Sequence, residues 1–170
     1  MAAGCFGVLR RRHLTAGCLY SMSTVSPRSA LLIRAGDRCC ALNLLHVVEI
    51  MRPLPVDALA HMPAFVRGLS IIRGAPTPVV SLASLVADSG EPPTRFVVVR
   101  AGERQVALAV DAVLGVFPLD PATLRALPPL RRQADSDALQ AVAALDGQLL
   151  LLLNSGNIVP DEVWQKLVPL

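Results

Sequence analysis

Hydrophobic residues fall along this chain in short runs of strand length, separated by turns that contain glycine. Residues 34–48 (RAGDRCCALNLLHVV) and 100–114 (RAGERQVALAVDAVL) resemble each other at an offset of 66 positions. In both copies a Gly-acid pair follows an apolar run, and such a pair is typical of a tight hairpin turn. We therefore predict that each half of the chain begins with a β-hairpin.

A second repeat relates residues 68–82 to residues 141–154, with their turns at an offset of 73 positions. Each copy consists of two apolar runs joined by a glycine turn, and so predicts another hairpin. Because short antiparallel sheets have exposed edges unless they close, two small β-barrels are the simplest arrangement. The two-residue alternation breaks between Val113 and Val116, which predicts a bend or bulge there.

The limits of the two predicted barrels follow from the turns between them. We expect the first barrel at about 29–88 together with a C-terminal segment, and the second at about 94–155. Proline and acidic residues at the start of 160–167 predict a short C-terminal helix. Residues 1–28 are interpreted as an N-terminal extension that is disordered or not part of the native chain.

The composition excludes several classes of protein. Hydrophobic residues make up 53% of the chain and charged residues 17%, so a packed core is expected rather than disorder. The formal net charge is +3, but residues 1–36 hold five arginines and no acid. The rest therefore carries 11 basic and 13 acidic groups, about −2. Since phosphate backbones require a basic face, we expect no nucleic-acid partner.

The cysteines and the apolar runs indicate the cellular setting. No C-x-x-C motif occurs, and adjacent Cys39 and Cys40 would lie on opposite faces of a strand, so no disulfide framework is predicted. A reducing, cytoplasmic location fits this pattern. The longest apolar leucine run, at 149–153, is far shorter than a bilayer span, so direct membrane insertion is not expected.

The chain contains no recognisable arrangement of catalytic or cofactor-binding residues. His46 and Glu49 have a spacing that could hold a metal on a helix, but on the predicted strand they point to opposite faces. Asp111 is interpreted as a polar strand residue that hydrogen-bonds a nearby backbone turn, although it could also be considered as a general base. We therefore predict no catalytic site, no metal, no cofactor and no enzymatic activity.

Apolar residues stand at successive positions in two segments, 44–51 and 149–153, and so would lie on both faces of a strand. Two explanations remain open. Either these strands are buried on both sides, for instance between the two barrels, or they form a surface patch to which a partner binds.

Three motifs resemble the CheW family, the scaffold proteins of bacterial chemosensory arrays. Residues 62–82 (MPAFVRGLSIIRGAPTPVVSL) resemble its signature, residues 44–50 (LLHVVEI) its V-x-E-I strand, and residues 106–111 (VALAVD) its G-L-x-V-D motif. The resemblance covers about 29–168. It implies two SH3-like, five-stranded β-barrels side by side. It also implies a non-catalytic adaptor that links the cytoplasmic tip of a methyl-accepting chemoreceptor to the regulatory domain of a CheA-type histidine kinase.

The same resemblance implies three protein-binding residues, Val47, Glu49 and Arg73. Val47 would be an apolar anchor, Glu49 would orient the partner, and Arg73 would offer a planar guanidinium to a carboxylate or carbonyl group. In the alternative interpretation, Arg73 only ends a turn and Glu49 pairs with a neighbour.

Departures from the family pattern occur at Ile71, Ser81 and Ala141, where the family usually has Asn, Asp and Gly. The first two put the contact geometry of Arg73 in question. Alternative functions are therefore a scaffold for a non-flagellar motility pathway, a self-assembling module, or a barrel that binds a small molecule.

Overall fold

The computed structural model describes residues 28–87, 92–120, 122, 124–126, 138–145 and 147–167. The predicted N-terminal extension lies outside the described residues, apart from Arg28. Within the described residues the strands and helices follow in this order: β1 (Arg28–Ala35), β2 (Arg38–Asn43), β3 (Val47–Met51), β4 (Val66–Ile72), β5 (Ala75–Ser81), α1 (Leu82–Val86), β6 (Arg95–Ala101), β7 (Arg104–Val110), β8 (Ala112–Leu119), β9 (Arg125–Ala126), β10 (Leu139–Leu145), β11 (Gln148–Leu153) and α2 (Asp161–Leu167). The predicted all-β fold with a short C-terminal helix is confirmed.

The strands form two mainly antiparallel sheets. One has the order β8-β1-β2-β11-β10-β9 and the other the order β3-β6-β7-β5-β4. All four predicted hairpins are present, as β1–β2, β4–β5, β6–β7 and β10–β11. The two sheets correspond to each other through the internal repeat. In strand order, β3, β6, β7, β5 and β4 of one sheet occupy the positions of β8, β1, β2, β11 and β10 of the other.

The two sheets do not divide the chain at residues 88–93, and the expected limits of the barrels are therefore wrong. The first hairpin of each half leaves its own half: β1–β2 joins β8, β10 and β11, whereas β6–β7 joins β3, β4 and β5. The exchange is fixed by two parallel pairings, β11 with β2 and β5 with β7. Each hairpin is determined by its own turn, but these long-range pairings decide which sheet it enters.

Both faces of the central strands are buried, and each face contributes to a different core. In β6, Val97 and Val99 belong to the largest core, while Phe96 and Val98 belong to another. β1, β2, β7 and β11 alternate in the same way. The largest core contains residues from both sheets, whereas each smaller core contains residues from one. The two subdomains are therefore joined through a shared hydrophobic core.

Polar contacts also connect the two sheets. The Gly36 backbone N–H, in the β1–β2 turn, donates to Asp111 Oδ2 at 2.6 Å, and the Asp111 N–H donates to the Arg34 carbonyl at 3.0 Å. The prediction that Asp111 bonds a backbone turn is confirmed.

Helix α2 packs with Val163 and Trp164 buried, and the Arg104 guanidinium lies 5.0 Å from the Trp164 ring centroid. This cation–π contact fixes α2 against β7.

Candidate protein-binding surfaces

The two edge strands β3 and β8 share an irregularity that determines which of their side chains face solvent. Val47 pairs with Val99 and Glu49 with Val98, so Val48 is an extra, bulged residue in β3. The pairing of β8 with β1 likewise shifts between Val113 and Gly115, so Leu114 is bulged. The predicted break in alternation is thus a β-bulge. Bulges redirect side chains at sheet edges, and both bulged residues are exposed apolar residues.

Exposed apolar side chains occur in β3, in the turn before it and near the end of β4. We define the β3 surface by four of them: Leu45 is 87% exposed, Ile71 is 61% exposed, and Val48 and Ile50 are exposed as well. Leu45 belongs to the 3-10 turn Leu44–His46 that precedes β3, and Ile71 lies near the end of β4. Of the two explanations for the apolar segment 44–51, the structure supports the surface patch.

The Glu49 and Arg73 side chains form a two-point ion pair at this surface. Arg73 Nε donates to Glu49 Oε1 at 2.7 Å, and Arg73 Nη2 donates to Glu49 Oε2 at 2.6 Å. The pair joins β3 to the β4–β5 turn, at the two edges of one sheet. The Glu49 side chain is 19% exposed and that of Arg73 78%, so the guanidinium covers the carboxylate and keeps one side toward solvent.

Arg73 has an uncommon backbone conformation, and each charge of the pair stabilises the other. Arg73 occupies the first position of the two-residue β4–β5 turn with φ of 50°, a left-handed conformation that is uncommon outside glycine. The hydrogen bonds from Arg73 lower the pKa of Glu49 and raise the pKa of Arg73 itself. Both groups therefore stay charged at neutral pH. The contact present in the structure is the one expected in the alternative interpretation, in which Glu49 pairs with a neighbour.

Val47 is placed differently from the exposed residues of β3. Its side chain is partly buried and packs against the shared core, whereas Val48 and Ile50 face solvent. The roles of Val47, Glu49 and Arg73 in partner binding stay predictions. Sequence reasoning placed Leu45, Val48 and Ile50 in an apolar segment but did not separate them from Val47, because the bulge that distinguishes them depends on pairing with β6.

His46 and Glu49 contact different partners. The His46 Nδ1 atom hydrogen-bonds the Ser155 hydroxyl, and Ser155 is buried. In the described part of the chain, no group of three His, Cys, Asp or Glu side chains lies close enough to hold a metal ion. Here His46 connects the start of β3 to the segment after β11, which is a structural role.

A second apolar surface lies on β8, the edge strand of the other sheet. We define the β8 surface by Leu114, Val116 and Phe117, which are all exposed. Sequence reasoning did not select these residues, although the break in alternation marked the bulge among them. The run 149–153 behaves differently, since Leu150 to Leu153 are buried and only Leu149 is exposed. For that run, burial on both faces is the correct explanation.

These features define a class of protein: a duplicated β-protein of two subdomains, with a shared core and an exposed apolar edge on each subdomain. The model of the CheW-like domain family matches residues 29–163, and the chain belongs to this family. The fold is that of two SH3-like β-barrel subdomains side by side, as predicted from the resemblance.

Known relatives agree with this assignment. The chain is 29% identical over 154 residues to the chemotaxis protein CheW of Rhizobium meliloti, covering 89% of this chain and 94% of the relative. It is 26% identical over 135 residues to the chemotaxis protein CheW of Klebsiella aerogenes, covering 78% and 81%. The crystal structure of the scaffolding protein TtCheW from Thermoanaerobacter tengcongensis superposes with a TM-score of 0.67 at 21% identity, covering 75% of this chain and 89% of that one.

Among the helices that the structure describes, neither α1 nor α2 is long and apolar enough to cross a membrane.

Proposed function

We propose that this chain is a cytoplasmic, non-catalytic adaptor that couples methyl-accepting chemoreceptors to a CheA-type histidine kinase. Membership of the CheW-like family supports this proposal. The relatives are named chemotaxis proteins, and the structural neighbour is described as a scaffolding protein.

The observation that carries the proposal is the presence of two apolar edges on two different sheets. An adaptor must bind two macromolecules at once, and therefore needs two separate surfaces. The β3 surface and the β8 surface meet this need, because they occupy equivalent edge positions in the two subdomains. Exposed apolar clusters on an otherwise packed protein are typical of sites that bind other proteins.

Within the β3 surface, we assign the binding energy chiefly to the exposed apolar side chains. The Glu49–Arg73 pair would present a neutral unit of fixed geometry among them, and the solvent-facing side of Arg73 would select orientation. Val47, packed beneath, would support the exposed residues of β3 rather than insert into the partner. The predicted anchor thus becomes a supporting residue in this proposal.

The proposed mechanism is linkage between two binding sites. The adaptor holds receptor and kinase in a fixed relative geometry, so that a change in the receptor alters the relative stability of two kinase states. No covalent step takes place on the adaptor.

The test is binding of the purified chain to two separate partners from the same organism, a CheA-type kinase regulatory domain and a soluble receptor tip. Val48→Asp and Ile50→Asp place a charge on the β3 surface, and thermal unfolding checks that both variants fold, since these residues are 42% and 44% exposed. Arg73→Glu and Val47→Asp test the two residues named from the resemblance. Leu149→Asp is the matched control, an exposed apolar residue on the other sheet.

We expect Val48→Asp and Ile50→Asp to lose at least one partner and Leu149→Asp to keep both. Val47→Asp is informative only together with a thermal unfolding curve, since Val47 packs against the core. If the folded wild-type chain binds neither partner, the adaptor proposal fails. Concentration-dependent self-association without partner binding would support the self-assembling alternative instead.

A further inference from the structure

A cleft between α1 and the end of β7 carries groups of both charges and is used by neither apolar surface. Its volume is about 450 Å³, which lies within the range of small-molecule sites. The polar lining consists of Arg67, Asp111, Ser81 and Ser84, and the rest of the lining is alanine and proline.

Asp111 supplies a fixed carboxylate at this cleft. It is only 6% exposed, and one of its oxygens accepts the Gly36 N–H at 2.6 Å. In the described part of the chain, no group donates a hydrogen bond to its second oxygen. Because the backbone contact orients the carboxylate, it is available as an acceptor for a ligand without further ordering.

Arg67 supplies the opposite charge. It is the bulged residue of β4, since Val66 pairs with Val80 and Gly68 with Val79. Its side chain is exposed, and it forms no ion pair with any residue that the structure describes. A guanidinium placed in this way can bind a carboxylate in two-point geometry.

The two serines add a donor and an acceptor. Ser81 Oγ accepts from the Ser84 backbone N–H at 3.3 Å and from the Ser84 hydroxyl at 3.0 Å. Ser81 has thereby filled its acceptor positions and keeps its own proton to donate, while the Ser84 oxygen keeps its acceptor capacity. The cleft thus offers donors as well as acceptors.

From these groups we infer that the cleft binds a small zwitterion of amino-acid type, with its carboxylate on Arg67 and Ser81 and its ammonium group on Asp111. A simple anion would meet the Asp111 carboxylate, and a simple cation would meet the Arg67 guanidinium, so neither satisfies both. The proline and alanine lining accommodates an apolar side chain. The inference is independent of the proposed adaptor function.

The test is an amide chemical-shift titration of the full chain with L-leucine at millimolar concentrations. Two analogues each lack one charge, 4-methylpentanoate and 3-methylbutylamine. We expect saturable shifts at the residues lining the cleft with L-leucine, and at least tenfold weaker binding of both analogues.

Arg67→Gln and Asp111→Asn should each weaken leucine binding about tenfold, while Arg100→Gln, an exposed arginine outside the cleft, should leave it unchanged. Asparagine retains an oxygen acceptor for Gly36, and an unfolding curve checks that Asp111→Asn folds. If that variant does not fold, Arg67→Gln and Ser81→Ala carry the test.

No saturable shift with L-leucine, or equal binding of 4-methylpentanoate, overturns the inference. Undiminished binding by Arg67→Gln overturns it as well.

Discussion

Leu45→Ser separates binding from stability more sharply than any other change on the β3 surface. Leu45 is 87% exposed in the free chain, so its replacement removes little that stabilises the fold. Exposed substitutions of this kind change the free energy of unfolding by less than about 0.5 kcal/mol. A partner that covers Leu45, in contrast, buries nearly the whole side chain.

The expected loss of affinity follows from that exposed fraction. Full burial of a leucine side chain contributes about 2 kcal/mol. With 87% of the side chain still available for burial, removing it should cost about 1.7 kcal/mol of binding free energy. This value corresponds to a Kd about 15-fold higher. Isothermal titration with the kinase regulatory domain and with the receptor tip measures it, and thermal unfolding gives Tm.

Leu149→Ser is the matched control, because it removes an exposed leucine from the other sheet. It should leave both Kd values unchanged, whereas Tm should fall more than in Leu45→Ser because Leu149 is only 42% exposed. The reasoning is refuted if Leu45→Ser leaves both dissociation constants within about twofold of wild type. If Leu149→Ser raises Kd as much as Leu45→Ser does, the loss of affinity does not depend on the β3 surface.

Four further predictions concern the Glu49–Arg73 pair, a glycine and a cysteine. Arg73→Glu should weaken partner binding, and the double variant Glu49→Arg/Arg73→Glu should restore it, because the reversed ion pair can form again. If titrations give equal Kd values for the single and the double variant, Arg73 instead contacts the partner directly. Arg73 lowers the pKa of Glu49, so the ionised Glu49 side chain stabilises the fold at pH values above its ordinary pKa of 4.5. This contribution disappears as the pH falls through the lowered pKa, and the Tm difference between wild type and Glu49→Gln should therefore vanish in acid. A Tm difference that stays constant with pH contradicts this prediction. Gly68→Ala should lower the free energy of unfolding in urea by about 2–3 kcal/mol. Residue 68 has φ of +139°, and the new Cβ would lie 2.0 Å from a backbone oxygen. Gly74→Ala should lower it less, because the space around Gly74 is open. Burial, and secondarily the neighbouring thiol, raises the pKa of Cys40 to about 12, so iodoacetamide should label it only after unfolding. Peptide mapping that finds Cys40 itself alkylated in the native chain, rather than the half-buried Cys39, would contradict its burial.

The sequence predicts the hairpins correctly because each depends on a short turn and two adjacent runs. Gly36 and Gly102 have φ of 60° and 65°, as the two-residue turns of the repeat require. The assignment of hairpins to sheets is wrong because it depends on the parallel pairings of β5 with β7 and β11 with β2. Nothing in the local pattern of either strand specifies such a partner.

The candidate site shows the same division. The resemblance identified Glu49 and Arg73, and the structure pairs them with each other. Alternation alone could not identify Val48 or Leu114 as outward-facing, because a bulge shifts the register by one residue and reverses the face. Exposure on an edge strand therefore has to be read from the pairing.

The exchange of hairpins has a consequence for an adaptor. β3 pairs with β6 and β8 pairs with β1, so each exposed edge lies beside the first strand of a hairpin from the other half. β1 and β6 both place alternate side chains in the shared core, among them Ile33 and Val97. The two binding surfaces are thus connected through one close-packed core. Because such cores resist small displacements, partners bound at the two edges would keep a fixed relative orientation, and a movement of one would be passed to the other.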